Sequence, residues 1–439
     1  MTDSFQAYGR LVLLAFVAIG NPMASAAGAP SSDLARFLQK AVTQDAPINA
    51  ARLRWEAARE RVPAAGALPD PELAYGYFFS PVETRVGAQN QKFGLFQKIP
   101  WPERLREQAK LAEAGVLVAY YDYLATVRER VAAAKSAWIR RASVGAQIRI
   151  MERELELLEE ALRTMDGGLA SGRADLAARA LLRQQVTRVE SRRLALMGDA
   201  EAARAALRRF AGNTVDEIEP APALAAIQPR PLPKRGELTR LLLEHSEPLQ
   251  ARSAAVREAE RARAVARLQR RPDITVGVEY TEINDNIFAD PVDNGEDAIL
   301  GSIRISLPIW KGKYDALEAG ARRELSAARA RERATADDLT QRMRETYAKA
   351  EALERQLRLY EDKLLPQTRE TFEAAVAAFG SGRGDALQWI EAQRDRLDAE
   401  TGRVLLRTEY LQAIVVLERI CAVALIEGTE TPAPTPSIQ

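Results

Sequence analysis

The sequence is poor in the residues that most enzymes and metal sites need. Its 439 residues include one cysteine, Cys421, and one histidine, His245. A single cysteine excludes an internal disulfide framework and any CxxC zinc site. A single histidine excludes a histidine-rich metal site and disfavours a histidine-dependent nucleophilic triad. The sequence therefore predicts no catalytic residues, no metal site and no cofactor, and we expect both residues to have structural roles.

Aromatic residues are also few, and neither sign of charge dominates. Aromatics make up 6% of the chain and charged residues 28%, a balance that is lean for compact cores and normal for long exposed helices. The 62 basic and 61 acidic side chains give a formal net charge of +1, which argues against a protein that coats nucleic acid. Beyond the amino-terminus the chain has no apolar run of about 18 residues, so no segment predicts a membrane-spanning helix.

The amino-terminal residues have the order of a secretory signal peptide. Arg10 precedes the apolar run 11–20, and the small residues 24–26 (Ala-Ser-Ala) follow in A-x-A form. Ten residues span only about 15 Å as a helix, half of a hydrocarbon core, so a permanent membrane anchor is the weaker interpretation. We predict that residues 1–26 form a signal peptide and that the mature chain begins near Ala27.

The two halves of the chain carry the same landmarks in the same order. Each has a helical segment interrupted by one proline, two short strand-like segments, and a Ser-Gly-Arg turn between long helical segments. The aligned pairs are 71–77 with 272–278, 95–101 with 303–309, and 170–175 with 380–385, at offsets of 201, 208 and 210 residues. We interpret this order as an internal duplication, with a first repeat over 27–235 and a second over 236–428.

Alternation of apolar and polar residues predicts two strands in each repeat, separated by turn-rich stretches. The predicted strands are at about 72–79, 92–99, 273–281 and 298–307. Two interpretations fit this alternation: a water-facing antiparallel sheet, or a transmembrane barrel sheet that is apolar towards lipid and polar towards a lumen. In the second interpretation Glu279 and Arg304, which lie on the polar strand faces, would line the lumen.

Long helical segments follow each pair of strands, and both begin just after a proline, Pro100 or Pro308. Apolar residues then recur at alternating spacings of three and four, which predicts coiled-coil helices. One helix is predicted over 103–166, and Pro366 is expected to kink another. The predicted tips between helices lie near 167–173 and 380–385, a proline-rich segment covers 212–235, and residues 429–439 are predicted to be a disordered tail.

The order helix–strand–strand–helix–tip–helix, present twice, resembles that of the TolC-like family of outer-membrane efflux channels. The run 360–394 (YEDKLLPQTRETFEAAVAAFGSGRGDALQWIEAQR) is the most specific part of this resemblance. Four strands cannot close a barrel, and open sheet edges are not tolerated in lipid. The resemblance implies a mainly α chain with β: a homotrimer whose twelve-stranded outer-membrane β-barrel, with four strands per chain, continues into a long α-helical periplasmic tunnel.

The resemblance also implies roles for individual residues. In the family, the tips meet the periplasmic adaptor protein of an inner-membrane pump, and the channel closes through acidic rings just past the second tip. Counting from the second tip places the gate at Gln388 and Glu391, three residues apart on one helix face. Pro100 and Pro308 would mark the junctions between barrel and helices. The implied tip residues are Ser171, Gly172, Arg173, Asp175, Ser381, Gly382, Arg383 and Asp385.

The implied function is that of a passive exit duct in a tripartite efflux system, located in the outer membrane of a Gram-negative bacterium and not an enzyme. Metal cations, small organic toxicants and polypeptides remain open as substrates, and the 360–394 run favours the heavy-metal branch of the family. A type I protein-secretion channel, a periplasmic adaptor and a coiled-coil scaffold are the alternatives. The last two leave the duplicated strands unexplained. For Glu391, a solvated helix flank is the alternative to a gate.

Overall fold

The computed structural model describes residues 33–170, 176–212, 222–289, 291–381 and 385–429. The predicted signal peptide and all but the first residue of the predicted tail lie outside the described residues. The same is true of several predicted tip residues: Ser171, Gly172, Arg173, Asp175, Gly382 and Arg383.

In the first half of the chain, helices precede and follow one β-hairpin. The elements are α1 (Asp33–Gln44), α2 (Ala46–Glu60), α3 (Val62–Ala65), β1 (Glu72–Thr84), β2 (Gly87–Ile99), α4 (Pro102–Ala170) and α5 (Leu176–Ala211). A short 3-10 turn, Leu224–Ala226, lies in the proline-rich segment.

The second half follows the same order of elements. They are α6 (Arg235–His245), α7 (Glu247–Leu268), β3 (Ile274–Ile283), β4 (Ala298–Ile305), α8 (Lys311–Leu359), a π-helical turn (Tyr360–Leu364), α9 (Leu365–Gly380) and α10 (Ala386–Cys421). Among the described helices, none is both long enough and apolar enough to cross a membrane.

The four strands form a single antiparallel sheet in the order β1-β2-β3-β4. The two halves of the chain meet where β2 pairs with β3, with Phe93 opposite Tyr280 and Leu95 opposite Val278. β1 and β4 are the two edges of this sheet. The sheet is therefore open at both of these edges.

The first hairpin is longer than predicted, because the stretch 80–91, expected to be rich in turns, is mostly strand. β1 and β2 remain paired up to Thr84 and Gly87, with a register shift between Tyr77 and Val82. Gly87 has a φ of +131°, and the Thr84 hydroxyl donates to its carbonyl at 2.7 Å. The register shift accommodates Pro81, which has no N–H to donate to the neighbouring strand.

The second hairpin ends in a loop that is fixed by side-chain hydrogen bonds. The Asp297 carboxylate accepts from the backbone N–H of Ile283 at 2.9 Å, and the Asn294 side chain accepts from that of Asn286 at 2.7 Å. β4 ends at Ile305, two residues before the predicted end. One more backbone hydrogen bond, from Ser306, follows before Pro308 ends the ladder.

The helix α4 extends for 69 residues, or about 104 Å, and reaches Ala170, beyond its predicted end at 166. It packs against α2, α5, α7 and α10, whereas α8 packs against α7 and α10. The predicted apolar seam of α4 is buried at Val127, Val131 and Trp138, and Trp138 stacks on Phe37 of α1 at 5.1 Å. Two helical hairpins, α4 with α5 and α9 with α10, are thus joined along α4.

Pro47 and Pro248 each stand in the first turn of a helix, where a missing N–H costs nothing. Ser246 separates α6 from α7, so the helical segment that was predicted to be interrupted by a proline consists of two helices. His245, at the end of α6, is 60% exposed beside Glu244. Cys421 is fully buried, and burial raises the pKa of its thiol to about 12. It is a packed, unreactive thiol.

The expected kink at Pro366 takes the form of the π-helical turn just before it. Proline lacks an N–H and its ring crowds the preceding turn, and a wider turn relieves both. Tyr360, the first residue of this turn, lies against α10 at Gly402, where an added Cβ would come within 2.9 Å of the tyrosine ring. Gly402 thereby lets the turn pack closely on α10.

The residues after α10 fold back onto the proline-rich segment in the middle of the helices. Pro229 and Ile426 form an isolated antiparallel bridge, and the Arg230 N–H donates to the Leu425 carbonyl at 2.7 Å. Ala422 begins this segment with a φ of +55°. The end of the second half is thereby tied to the end of the first.

Candidate functional site

One face of the sheet is apolar and exposed over its whole width. In the register of the sheet, apolar residues on neighbouring strands lie opposite one another, so they form a continuous surface. The exposed residues on this face are Leu73, Tyr75 and Tyr77 of β1, Phe93 and Leu95 of β2, Ile274, Val276, Val278 and Tyr280 of β3, and Ile299, Ile303 and Ile305 of β4. In water, an apolar patch of this extent is a liability unless a partner or lipid covers it.

The opposite face is polar and carries both residues predicted to line a lumen. Glu279 pairs with Lys92 of β2, and the guanidinium of Arg304 lies 4.2 Å from the centre of the Phe96 ring. Phe96 fits because Gly277 faces it: an added Cβ there would come within 2.3 Å of the ring. Lys92 and Phe96 were not among the predicted lumen residues, although the same alternation in β2 could have identified them.

Glu391 and Gln388 both lie exposed on one face of α10, as their spacing predicts. The exposed face continues through Asp395 and Asp398, so four residues at spacings of three, four and three form a stripe with three carboxylates. We call residues 388, 391, 395 and 398 the acidic stripe. Asp395 and Asp398 were not among the predicted gate residues, although the same helical spacing places both on the face of Glu391.

The second tip is described at its two ends only. The Ser381 hydroxyl donates to the carbonyl of Ala377 at 2.9 Å as α9 ends. The Asp385 side chain accepts from the Leu387 N–H at 3.3 Å and caps the amino-terminus of α10. The acidic stripe begins one turn beyond this cap.

A buried ionic contact joins α4 to α10 three turns beyond the tip. Glu154 of α4 accepts from Arg396 of α10 at 2.8 Å, and Arg396 also donates to Glu400 at 3.2 Å. The Glu154 side chain is 2% exposed. Burial raises the pKa of its carboxyl to about 7; Arg396 opposes this rise and Glu400 adds to it. No sequence pattern predicts this pair, because the apolar rhythm of both helices predicts an apolar seam.

Two further polar side chains are buried beside this contact. Gln185 of α5 accepts from Arg394 at 3.0 Å. Gln393 is fully buried, and neither its amide nitrogen nor its oxygen has a hydrogen-bond partner among the described residues. Within the described part of the chain, no group of three or more histidine, cysteine, aspartate or glutamate residues is placed to hold a metal ion.

Solved structures share this fold over nearly the whole chain. A membrane protein from Pseudomonas aeruginosa superposes with a TM-score of 0.73 at 18% identity, covering 88% of this chain and 93% of that one. The open state of the MtrE outer membrane channel from Neisseria gonorrhoeae gives 0.73 at 17% identity, with 91% of each chain covered. The outer membrane protein VceC from Vibrio cholerae gives 0.70 at 16% identity, covering 88% and 95%. The chain therefore has the fold of outer-membrane channels.

The sequence itself matches one family model, described as "Outer membrane efflux protein", over residues 238–422. The match covers less than half of the chain and includes β3, β4 and the second hairpin. No curated protein matches the sequence. The resemblance to efflux channels thus has support from the fold of the whole chain and from the sequence of its second half.

Proposed function

We propose that the protein is the outer-membrane channel of a tripartite efflux system in a Gram-negative bacterium, a passive duct without a cofactor. The continuous apolar face of the sheet carries this proposal. The sheet is antiparallel, with one apolar and one polar face, strands of 8 to 13 residues and long helices at one end. These features suit a barrel wall between lipid and a water-filled lumen. A soluble adaptor or scaffold would expose this face to water.

The channel is a homotrimer in this proposal, because the edges β1 and β4 of one chain need partners. Unpaired backbone groups at a sheet edge cost several kcal/mol each in hydrocarbon. Three chains, each adding four strands, would pair every edge and close a twelve-stranded barrel. Pro100, which directly follows β2, and Pro308, the third residue after β4, would mark the transition to the tunnel. With two repeats in each of three chains, the wall of the trimer would then have approximate sixfold symmetry.

The helical tips are the proposed docking surface for the adaptor of the inner-membrane pump. In the second hairpin, Ser381 and Asp385 lie at the ends of antiparallel helices, far from the sheet. The remaining proposed contacts, Ser171, Gly172, Arg173, Asp175, Gly382 and Arg383, lie outside the described residues. The fold match leaves the substrate open, and metal cations remain one hypothesis beside organic toxicants.

A lysine on the apolar face should prevent insertion into the membrane. Val278→Lys places a charge at the centre of this face, and such a charge costs about 2–4 kcal/mol at the bilayer midplane. We expect Val278→Lys to reduce the amount of trimer in outer-membrane fractions severalfold. The measurement is quantitative immunoblotting of unheated membrane extracts.

Thr281→Lys is the matched control, because Thr281 lies on the polar face of the same strand. It should leave the trimer yield within about twofold of the parent protein. If Val278→Lys reaches the membrane as well as Thr281→Lys, the apolar face does not contact lipid, and the proposed channel fails.

Glu391 is proposed to line the closed end of the tunnel. Its exposure on α10 supports this role, and symmetry would bring three acidic stripes together around the axis. Carboxylates in a narrow mouth favour cations. We expect Glu391→Ala to lower cation preference and divalent-cation block in single-channel recordings, with Glu152→Ala on an exposed face of α4 as the control. Unchanged selectivity and block would place Glu391 on a solvated flank outside the aperture.

A further inference from the structure

A cleft of about 680 Å³ lies where the strands meet the helices. Residues 64, 65 and 67–69, just before edge strand β1, and residues 306–308, 313 and 314, just after edge strand β4, line it. Since these segments flank opposite edges of the sheet, the sheet curves around the cleft. Lys98, Asp273 and Ser306, which also line it, continue the alternation of the polar strand faces. The cleft therefore lies at the end of the polar face.

The cleft has an excess of positive charge. Four basic side chains and one acidic side chain line it, and the acidic one is Asp273. Asp273 is engaged by two of the bases: Lys98 lies 3.3 Å from one of its oxygens, and Arg104 forms an ion pair with the other. The other two bases are Arg271 and Lys313.

Arg271 and Lys313 have aromatic neighbours instead of acidic ones. The guanidinium of Arg271 lies 5.6 Å from the centre of the Trp101 ring, and the ammonium of Lys313 lies 5.5 Å from that of Tyr314. Among the described residues, neither has a carboxylate within 4 Å. An aromatic face attracts a cation without neutralising its charge. The lining thus keeps a formal charge of +3, four bases less one carboxylate.

Neutral hydrogen-bond donors complete the lining. Gln108 and Gln269, which carry amide donors, and Tyr314, which carries a hydroxyl, also line the cleft. A planar guanidinium and an ammonium that line one cleft match the oxygens of phosphate and carboxylate groups, and charge-assisted hydrogen bonds of this kind are stronger than neutral ones. The volume falls within the range of about 300–1,000 Å³ that is usual for small-molecule sites. Repulsion among four bases also falls when an anion binds between them.

We propose that this cleft is a binding site for small multivalent oxyanions, with phosphate or carboxylate groups held by Arg271 and Lys313. Its location inside the channel rests on the proposed function; its chemistry does not. In the trimer, three such clefts would surround the lumen at the transition from barrel to tunnel, with a charge opposite to that of the acidic stripe.

Calorimetric titration of the purified protein in detergent tests the site with citrate, inorganic phosphate and chloride as probes. We expect citrate to bind once per chain, phosphate more weakly, and chloride only to compete at high concentration. Arg271→Gln combined with Lys313→Gln should weaken citrate binding by at least about tenfold, since two charge-assisted partners are lost. Lys311→Gln removes an exposed charge outside the cleft and should leave the affinity within twofold of the parent.

Charge-preserving exchange, Arg271→Lys with Lys313→Arg, keeps the proposal falsifiable if the neutral variant folds poorly. This exchange should retain citrate binding. Equal citrate affinity in the parent and the neutral variant, or absence of saturable binding in the parent, would overturn the proposal. Single-channel recordings separate the two proposals: citrate should block the parent channel and not the neutral variant. Saturable binding without block would support the site and contradict its position in the lumen.

Discussion

Replacing Glu418 by alanine should lower the free energy of unfolding by about 3–5 kcal/mol per chain, the loss expected when one partner of a buried ion pair is removed. The Glu418 carboxylate accepts from the Lys135 ammonium at 2.8 Å. Its other oxygen accepts from the backbone N–H groups of Leu425 and Ile426, at 2.6 and 2.8 Å. Both charged side chains are at most 6% exposed. The substitution thus leaves a buried ammonium without its carboxylate partner and two buried N–H groups without their hydrogen-bond acceptor.

The substitution affects Lys135 most, because it removes the charged partner of a buried ammonium. Burial already lowers the pKa of this ammonium, and Glu418 is the main influence that raises it. Its second partner, the Thr429 hydroxyl at 2.8 Å, carries no charge. Lys135→Met combined with Glu418→Gln removes both charges and keeps an acceptor for the two N–H groups. We expect this double variant to recover most of the lost stability, since paired removal of a buried ion pair is often neutral.

The chain offers a matched control in Lys349 and Glu409. This pair also links α10 to another helix, but its atoms are 3.5 Å apart and both side chains are more than half exposed. Glu409→Ala should cost less than about 1 kcal/mol. Guanidinium titration in detergent, followed by the helical circular dichroism signal, gives the free energy of unfolding of the parent protein and of the three variants. A loss below about 1 kcal/mol for Glu418→Ala would show that the buried pair does not hold the end of the chain in place.

The sequence predicted the local features of the fold well, and the reason is periodicity. Alternation along one strand places Val278 and Glu279 on opposite faces whatever the strand pairs with. Likewise, helical spacing puts Gln388 and Glu391 on one face. These predictions need only the conformation of a single element. The order of these elements along the chain then led to the resemblance to a family.

The contacts between distant residues could not be predicted in this way. Lys135 and Glu418 are 283 positions apart, and Glu154 and Arg396 are 242 apart. Each of these four residues lies in a helix whose apolar residues recur at spacings of three and four, which predicts an apolar seam. A charged residue in such a helix is therefore expected on the exposed face. The cationic cleft gathers residues from four separate segments of the chain, and only the register of the sheet brings them together. Such sites depend on tertiary packing, which local periodicity does not encode.

Glu154→Gln should make the protein more stable at pH 8 and leave its stability at pH 5 almost unchanged. Burial raises the pKa of the Glu154 carboxyl from 4.5 to about 7 in the folded chain. Between these two values the folded state holds more protons on this residue than the unfolded state does, so stability decreases as the pH rises through that window. Above pH 7 the loss is complete and amounts to about 3 kcal/mol.

Glutamine resembles the protonated carboxyl, so the variant should lack this decrease, and Arg396 keeps Glu400 as a charged partner. Glu152→Gln, on an exposed face of the same helix, is the control and should follow the parent at every pH. Unfolding free energies measured from pH 5 to pH 8 give the comparison, and curves for Glu154→Gln and the parent that stay parallel would refute the assignment. Because Glu154 and Arg396 belong to different helical hairpins, this titration changes the strength of the contact that holds the hairpins together near the acidic stripe.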